Sequence, residues 1–269
     1  MATGDVEERE SLFSFDGFDP GDEDDASAMS LVDHLEELRW RIFKSLIAVV
    51  IGSILAFIFR DYIIHLLEAP LPKEADPLTH GTLVVTELMG SFTVSLLISV
   101  AAGIVVALPV ILYQAWAFIS PGLYVHEKKH AVPFIFIGLI LFVMGMILAY
   151  FVLRFPVQWL VTFGQGTFTE LVTANSYFTF VAFFVLIFGI VFEIPLVLTF
   201  LAKIGIVTAE MLTKKRATAH IGMWIAATVI TPGADIYSPV IIGVAASFLF
   251  ELSIIFIRIT TKKKVAAEV

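Results

Sequence analysis

The chain has 269 residues, of which 58% are hydrophobic and 16% charged, with a formal net charge of −8 and no cysteine. That balance excludes an ordinary soluble domain, and the missing thiols exclude structural disulfides, thiol catalysis and cysteine-ligated metals. The net charge misdescribes most of the chain, because residues 1–28 hold ten acids (Asp5, Glu7, Glu8, Glu10, Asp16, Asp19, Asp22, Glu23, Asp24 and Asp25) against Arg9, leaving the remainder near +1.

In chain order, residues 1–28 read as a disordered acidic cytoplasmic tail, since Gly17, Pro20 and Gly21 lie among the acids and no helical apolar stripe is present. An acidic start also lacks the positive n-region of a signal peptide, so the first apolar stretch is expected to stay as an anchor. Ser30 and Asp33 form a helix start signal, and Leu31, Leu35, Leu38 and Ile42 follow at helical spacing. The polar face of this amphipathic helix carries Asp33, Glu36, Glu37 and Arg41. Glu37 and Arg41 stand four residues apart in the favourable order, which by itself requires no more than a surface ion pair.

Six apolar stretches follow, at about 42–59, 88–112, 131–153, 177–202, 217–231 and 239–257. The fifth covers only about 22 Å as a helix, less than the ~30 Å hydrocarbon core, so the bilayer thins or polar flanks snorkel there. An even number of spans puts both termini on one side. That side then holds Arg9, Arg39, Arg41, Lys44, Lys128, Lys129, Lys203, Lys214, Lys215, Arg216, Arg258, Lys262, Lys263 and Lys264. Opposite them stand only Arg60, Lys73 and Arg154, and a 14 to 3 division makes the termini cytoplasmic. The expected fold is an all-α integral membrane protein with six transmembrane helices. It comprises the 1–28 tail, a membrane domain over 29–258 and a basic cytoplasmic tail over 259–269.

The apolar run from Leu88 to Ile119 is too long for one perpendicular span, and Pro109 is its natural break. The second span is therefore expected to kink or end near Leu112, with Tyr113, Gln114, Trp116 and Phe118 lying along the interface as an aromatic belt. Glu127 precedes the third span, where a helix N-terminus favours an anion. His126 and His130 flank it at metal-ligand spacing, but a loop rich in Lys and His reads as a solvated positive flank. On the other side, Tyr62 to Leu67 reads as a short interfacial helix stopped by Pro70, the 60–86 and 154–176 loops are expected to cap the bundle, and Asp235 is read as a turn residue.

Two acids lie at membrane depth. Glu193 stands near the middle of the fourth span, where an unpaired acid costs at least about 2.5 kcal/mol, and Pro195 kinks the helix beside it. Such an acid is functional by default, the plain alternative being a neutral carboxyl bonded to a neighbouring helix. Glu251, two turns before Arg258, is expected to snorkel or to join Lys203 and Arg258.

The strings His34-Leu-Glu-Glu-Leu-Arg39-Trp-Arg41, Ala69-Pro70-Leu71, Leu108-Pro109-Val-Ile-Leu-Tyr113-Gln114-Ala-Trp116-Ala-Phe118-Ile-Ser-Pro121-Gly122-Leu-Tyr124-x-x-Glu127-Lys, Phe192-Glu193-Ile-Pro195, Lys214-Lys-Arg216 and Thr231-Pro232-Gly-Ala-Asp235 stand in this order. Over residues 31–258 they resemble TatC, the six-span signal-recognition subunit of the twin-arginine protein translocase. The resemblance implies a concave groove-forming bundle in the cell membrane and a receptor, not an enzyme, with no cofactor. It further implies twin-arginine signal peptides of folded precursors as ligands and the single-span proteins TatA and TatB as partners, with self-association in the complex. Carried over by position, Glu37 and Glu127 receive the twin arginines, while Arg39, Arg41, Phe118, Leu123 and Tyr124 surround them. Glu193, Gln114 and Glu251 become candidate contacts for partner helices.

The competing reading is a proton-coupled secondary transporter with Glu193 as carrier acid. It calls for paired repeats with matching broken helices, and the two halves show no such equivalence. An intramembrane hydrolase would need a nucleophile and base at depth, whereas His220 is the one histidine clearly inside a span. No nucleotide-binding loop is present, which leaves the membrane potential or proton gradient as the energy source.

Overall fold

The computed structural model describes residues 31–72, 83–119, 131–163, 171–231 and 235–267. Outside them lie the acidic tail, the 120–130 segment with Leu123, Tyr124, His126, Glu127 and His130, most of the Pro232 turn, and parts of the two long loops. The chain divides into two units, residues 1–40 and 41–269. In the first, the described residues are the opening turns of helix α1 (Leu31–Ile58). The second holds the rest of α1 and all remaining helices.

These are α2 (Arg60–Glu68), α3 (Gly90–Ile119), α4 (Ala131–Val152), α5 (Arg154–Phe163), α6 (Ala174–Phe192), α7 (Ile194–Lys203), α8 (Ala209–Lys214), α9 (Arg216–Ile230) and α10 (Tyr237–Ala267). Five segments, Asp33–Ile58, Gly90–Phe118, Val132–Phe163, Ala174–Lys203 and Tyr237–Ile259, are long and apolar enough to cross a membrane. Helix α9, at 15 residues, falls short of that length, in keeping with the shortness of its apolar run.

The core of the second unit is built on α6, which packs against α3, α4 and α10. A ladder of phenylalanines runs along it at helical spacing: Phe180 stacks on Phe184 at 5.8 Å, and Phe184 meets Phe188 at 4.9 Å. Glycine lets α4 and α6 close. A Cβ on Gly145 would lie 2.6 Å from the Phe188 carbonyl oxygen, and one on Gly189 would lie 2.6 Å from the Phe142 ring, the small-residue approach typical of helix pairs in lipid. By contrast, Ile47, Val50, Ile54 and Ile58 of α1 are exposed, as befits a helix wetted by acyl chains.

Two buried hydroxyls are satisfied within their own helices: Ser99 donates to the Ser95 carbonyl and Ser253 to the Leu249 carbonyl, both at 2.6 Å. The connections of the second unit are tied together by polar bonds. Val84 pairs with Thr173 in a single parallel bridge, the Tyr150 hydroxyl donates to the Leu66 carbonyl at 3.0 Å, and the Tyr177 hydroxyl donates to the Leu67 carbonyl at 2.8 Å. The two tyrosines satisfy carbonyls in the last turn of α2, the short helix expected before Pro70. Asp235 is more than a turn residue, since its buried Oδ1 accepts from the Ser238 N–H at 2.6 Å and caps α10.

One part of an expectation fails: the second span does not end near Leu112. Helix α3 carries Pro109 in its interior and runs unbroken to Ile119. Trp116, expected on an interfacial belt, is buried instead, with its ring 4.8 Å from Phe134 and 5.1 Å from Phe200. Packing of these three rings at the end of α3 outweighs the one hydrogen bond that Pro109 removes. Tyr113, on the other face, is exposed as a belt residue would be.

Candidate functional site

In the first unit, the opening turns of α1 present Asp33, Glu36 and Arg39 to solvent, while Glu37 is half-buried. The Glu37 carboxylate lies 4.0 Å from His34 Nδ1, one turn earlier. Carboxylate and imidazole at this spacing share a helix face. Its expected companions Leu123, Tyr124 and Glu127 lie outside the described residues.

In the second unit, Arg41 Nη1 donates to Gln114 Oε1 at 3.4 Å, joining α1 to α3. Phe118 is half-buried one turn further along α3. Gln114 therefore serves as an acceptor for a cation of this chain, a role that its place on the expected belt did not suggest.

Glu193 occupies the junction between α6 and α7. Its backbone N–H is bonded to the Ile190 carbonyl at 3.0 Å, and its own carbonyl accepts from Val197 at 2.9 Å. Pro195 stands in the first turn of α7, where its missing N–H costs nothing. The side chain points inward. Both carboxylate oxygens are buried without a hydrogen-bond partner among the described residues, and Oε2 faces Gly138 of α4, 3.3 Å from where a Cβ would stand. A buried carboxyl left without a bond costs about 1–3 kcal/mol, an expense that an arriving hydrogen-bonding group would relieve.

Glu251 is in the opposite condition. Oε2 receives Arg216 Nη2 at 2.8 Å and Oε1 meets His220 Nε2 at 2.9 Å, so that α10 is clamped to α9. The expected partners are not the ones used: Arg258 donates to the Thr213 hydroxyl at 2.7 Å instead. Arg216 and His220 are four residues apart and share one face of α9, and this spacing was the sequence signal for a two-point clamp. The His220 ring also meets Phe250 edge-on at 5.5 Å. Among the described residues, no group of three His, Cys, Asp or Glu side chains could hold a metal ion.

Comparison with known proteins identifies the family. A family model described as "Sec-independent protein translocase protein (TatC)" matches residues 33–245. The TatC of Aquifex aeolicus (strain VF5) is 37% identical over 239 residues, covering 88% of this chain and 98% of the relative. That of Carboxydothermus hydrogenoformans is 35% identical over 89% of this chain and 97% of its own length, and that of Escherichia coli (strain K12) is 35% identical over 85% and 88%. A solved structure described as "Crystal Structure of Twin Arginine Translocase Receptor- TatC" matches with a TM-score of 0.73 at 35% identity, covering 85% of this chain and 99% of that one.

Proposed function

We propose a receptor role for this chain, which belongs to the TatC family of Sec-independent protein translocase proteins and so acts in protein transport rather than in catalysis. It resides in the cell membrane with six spans, α9 being the short fifth, and with both termini in the cytoplasm. The 14 to 3 division of lysine and arginine supports this orientation. Residues 1–28 and 259–269 are then cytoplasmic tails.

At the cytoplasmic face, Glu37 and Glu127 receive the two guanidiniums of a twin-arginine signal peptide, surrounded by Arg39, Arg41, Phe118, Leu123 and Tyr124. Guanidinium is planar, always charged and able to bond a carboxylate through two parallel N–H donors, which lysine cannot do. The observation that carries the reading is the likeness, at 35% identity over 85% of this chain, to a structure described as a twin-arginine translocase receptor. The half-buried Glu37 on the opening turns of α1 supports it.

Of the three polar groups considered for partner helices, Glu193 is the one we assign. Gln114 already accepts from Arg41, and Glu251 is engaged by Arg216 and His220. Glu193 lacks a bond among the described residues, so a polar group on an arriving signal peptide or on a single-span TatA or TatB helix would complete it. Further copies of the chain assemble in the complex, and transport draws on the proton gradient.

Titration of a synthetic twin-arginine signal peptide into vesicles carrying the full chain tests the proposal. Binding is expected only where the termini face the peptide, and Glu37→Ala or Glu127→Ala should weaken it by about ten- to a hundredfold, the worth of one charge-assisted bond. Equal binding from both sides, or unchanged affinity in both variants, would exclude it.

A further inference from the structure

The second unit carries an open apolar hollow of about 570 Å³ between α2, α3, α4 and α6, with Ile63, Ala102, Val106, Met146, Phe151 and Val185 among its walls. Tyr150 is the one polar side chain lining it, and its hydroxyl is already donated to the Leu66 carbonyl. Nothing on these walls can therefore orient a polar ligand. A second hollow of about 440 Å³ shares Tyr150 and Phe151 and is also lined by Ala69, Pro70, Arg154 and Phe155. The apolar slot thus ends beside a cation.

That cation is uncommitted. Arg154 is exposed, its guanidinium lies 4.9 Å from the Phe155 ring centroid, and among the described residues no carboxylate lies within ion-pair distance of it. The charged neighbours on α2 are otherwise occupied: Arg60 is 3.5 Å from Asp61 and bonds the Phe57 carbonyl, and Glu68 is 3.6 Å from His65. An aromatic ring beneath a guanidinium leaves its edge, and so its forked donors, available to a phosphate.

The lining selects the occupant: the walls are apolar throughout and end beside a cation, and an acyl chain under a phosphate is slender, wholly apolar along the walls and available at molar abundance in the bilayer. We propose that α2, α3, α4 and α6 form a binding site for one membrane phospholipid with an anionic headgroup, an acyl chain filling the hollow and the phosphate resting on Arg154. This site is independent of the receptor reading, since it uses none of the residues assigned to peptide or partner.

The test is lipid retention by the full chain, reconstituted in vesicles of equal phosphatidylglycerol and phosphatidylcholine, extracted in mild detergent and weighed by native mass spectrometry. One phosphatidylglycerol should be retained in about tenfold preference, and Arg154→Gln should abolish that preference, as expected for the loss of one charge-assisted contact. Val106→Trp should displace the lipid altogether; Val106 is 54% exposed, so the chain tolerates the ring, and Ala102→Phe checks the result from inside the slot. Inorganic phosphate should not compete. Equal retention of both lipids, an unchanged preference in Arg154→Gln, displacement by phosphate alone, or loss of a co-purified protein helix rather than of lipid in Val106→Trp would each overturn the proposal.

Discussion

Glu193 and Glu251 are both carboxylates set within long apolar segments, yet the fold treats them oppositely. Glu251 is bonded to two cationic or cationisable side chains of α9 and fastens the short helix to α10. Glu193 sits at a helix junction with both oxygens buried and unbonded among the described residues. Their partners separate them. An acid whose bonds are filled from within the chain is a structural fastener, and one whose bonds are left open is where an incoming group gains most.

The largest effect should come from the fastener. Glu251→Leu leaves Arg216 without its acceptor, and because the pair is partly exposed the loss should be about 2–3 kcal/mol, between the cost of breaking a buried pair and that of a surface one. Thermal unfolding of the detergent-purified chain reads it, and an unchanged midpoint would dissolve the contrast.

A smaller loss is expected beside Glu193. A Cβ at Gly138 would stand 2.8 Å from Leu112, 3.1 Å from Leu196 and 3.3 Å from Glu193 Oε2. Gly138→Ala should therefore cost about 1–2 kcal/mol through overpacking and should also weaken crosslinking of partner helices at Glu193. Loss of stability with full crosslinking would mean that the space around the acid serves packing alone.

Glu193→Leu should change stability least, by less than about 1 kcal/mol and in the stabilising direction, since removal of an unbonded polar group is largely offset by fitting a branched side chain against Gly138 and Leu196. Transport should nonetheless fail, while Glu193→Gln, which keeps a hydrogen-bonding group, should retain much of it. Full transport in Glu193→Leu would return the residue to a merely structural role.

Much of this contrast was legible in the sequence, and the rest was not for definable reasons. Apolar runs marked the long helices because bilayer thickness sets their length, and Phe192-Glu193-Ile-Pro195 marked an acid beside a helix break. What the sequence left open was partner choice. Arg258 shares a helix face with Glu251 and was the natural candidate, but tertiary packing brought Arg216 and His220 of another helix closer. Pro109 likewise pointed to a kink or an end near Leu112, and the helix does not end there, because Trp116 finds Phe134 and Phe200 across the bundle. Local signals fix elements well, whereas contacts between distant residues follow only from the assembled fold.

The receptor assignment of Glu37 and Glu127 is tested most directly by a double-mutant cycle between chain and peptide. Affinities are measured for a twin-arginine signal peptide and its twin-lysine counterpart, each against the native chain and against Glu37→Ala/Glu127→Ala. Arginine should be preferred by about tenfold or more in the native chain and hardly at all in the double variant, because removing the acceptors removes the coupling. An arginine preference that survives undiminished in the double variant would contradict the assignment.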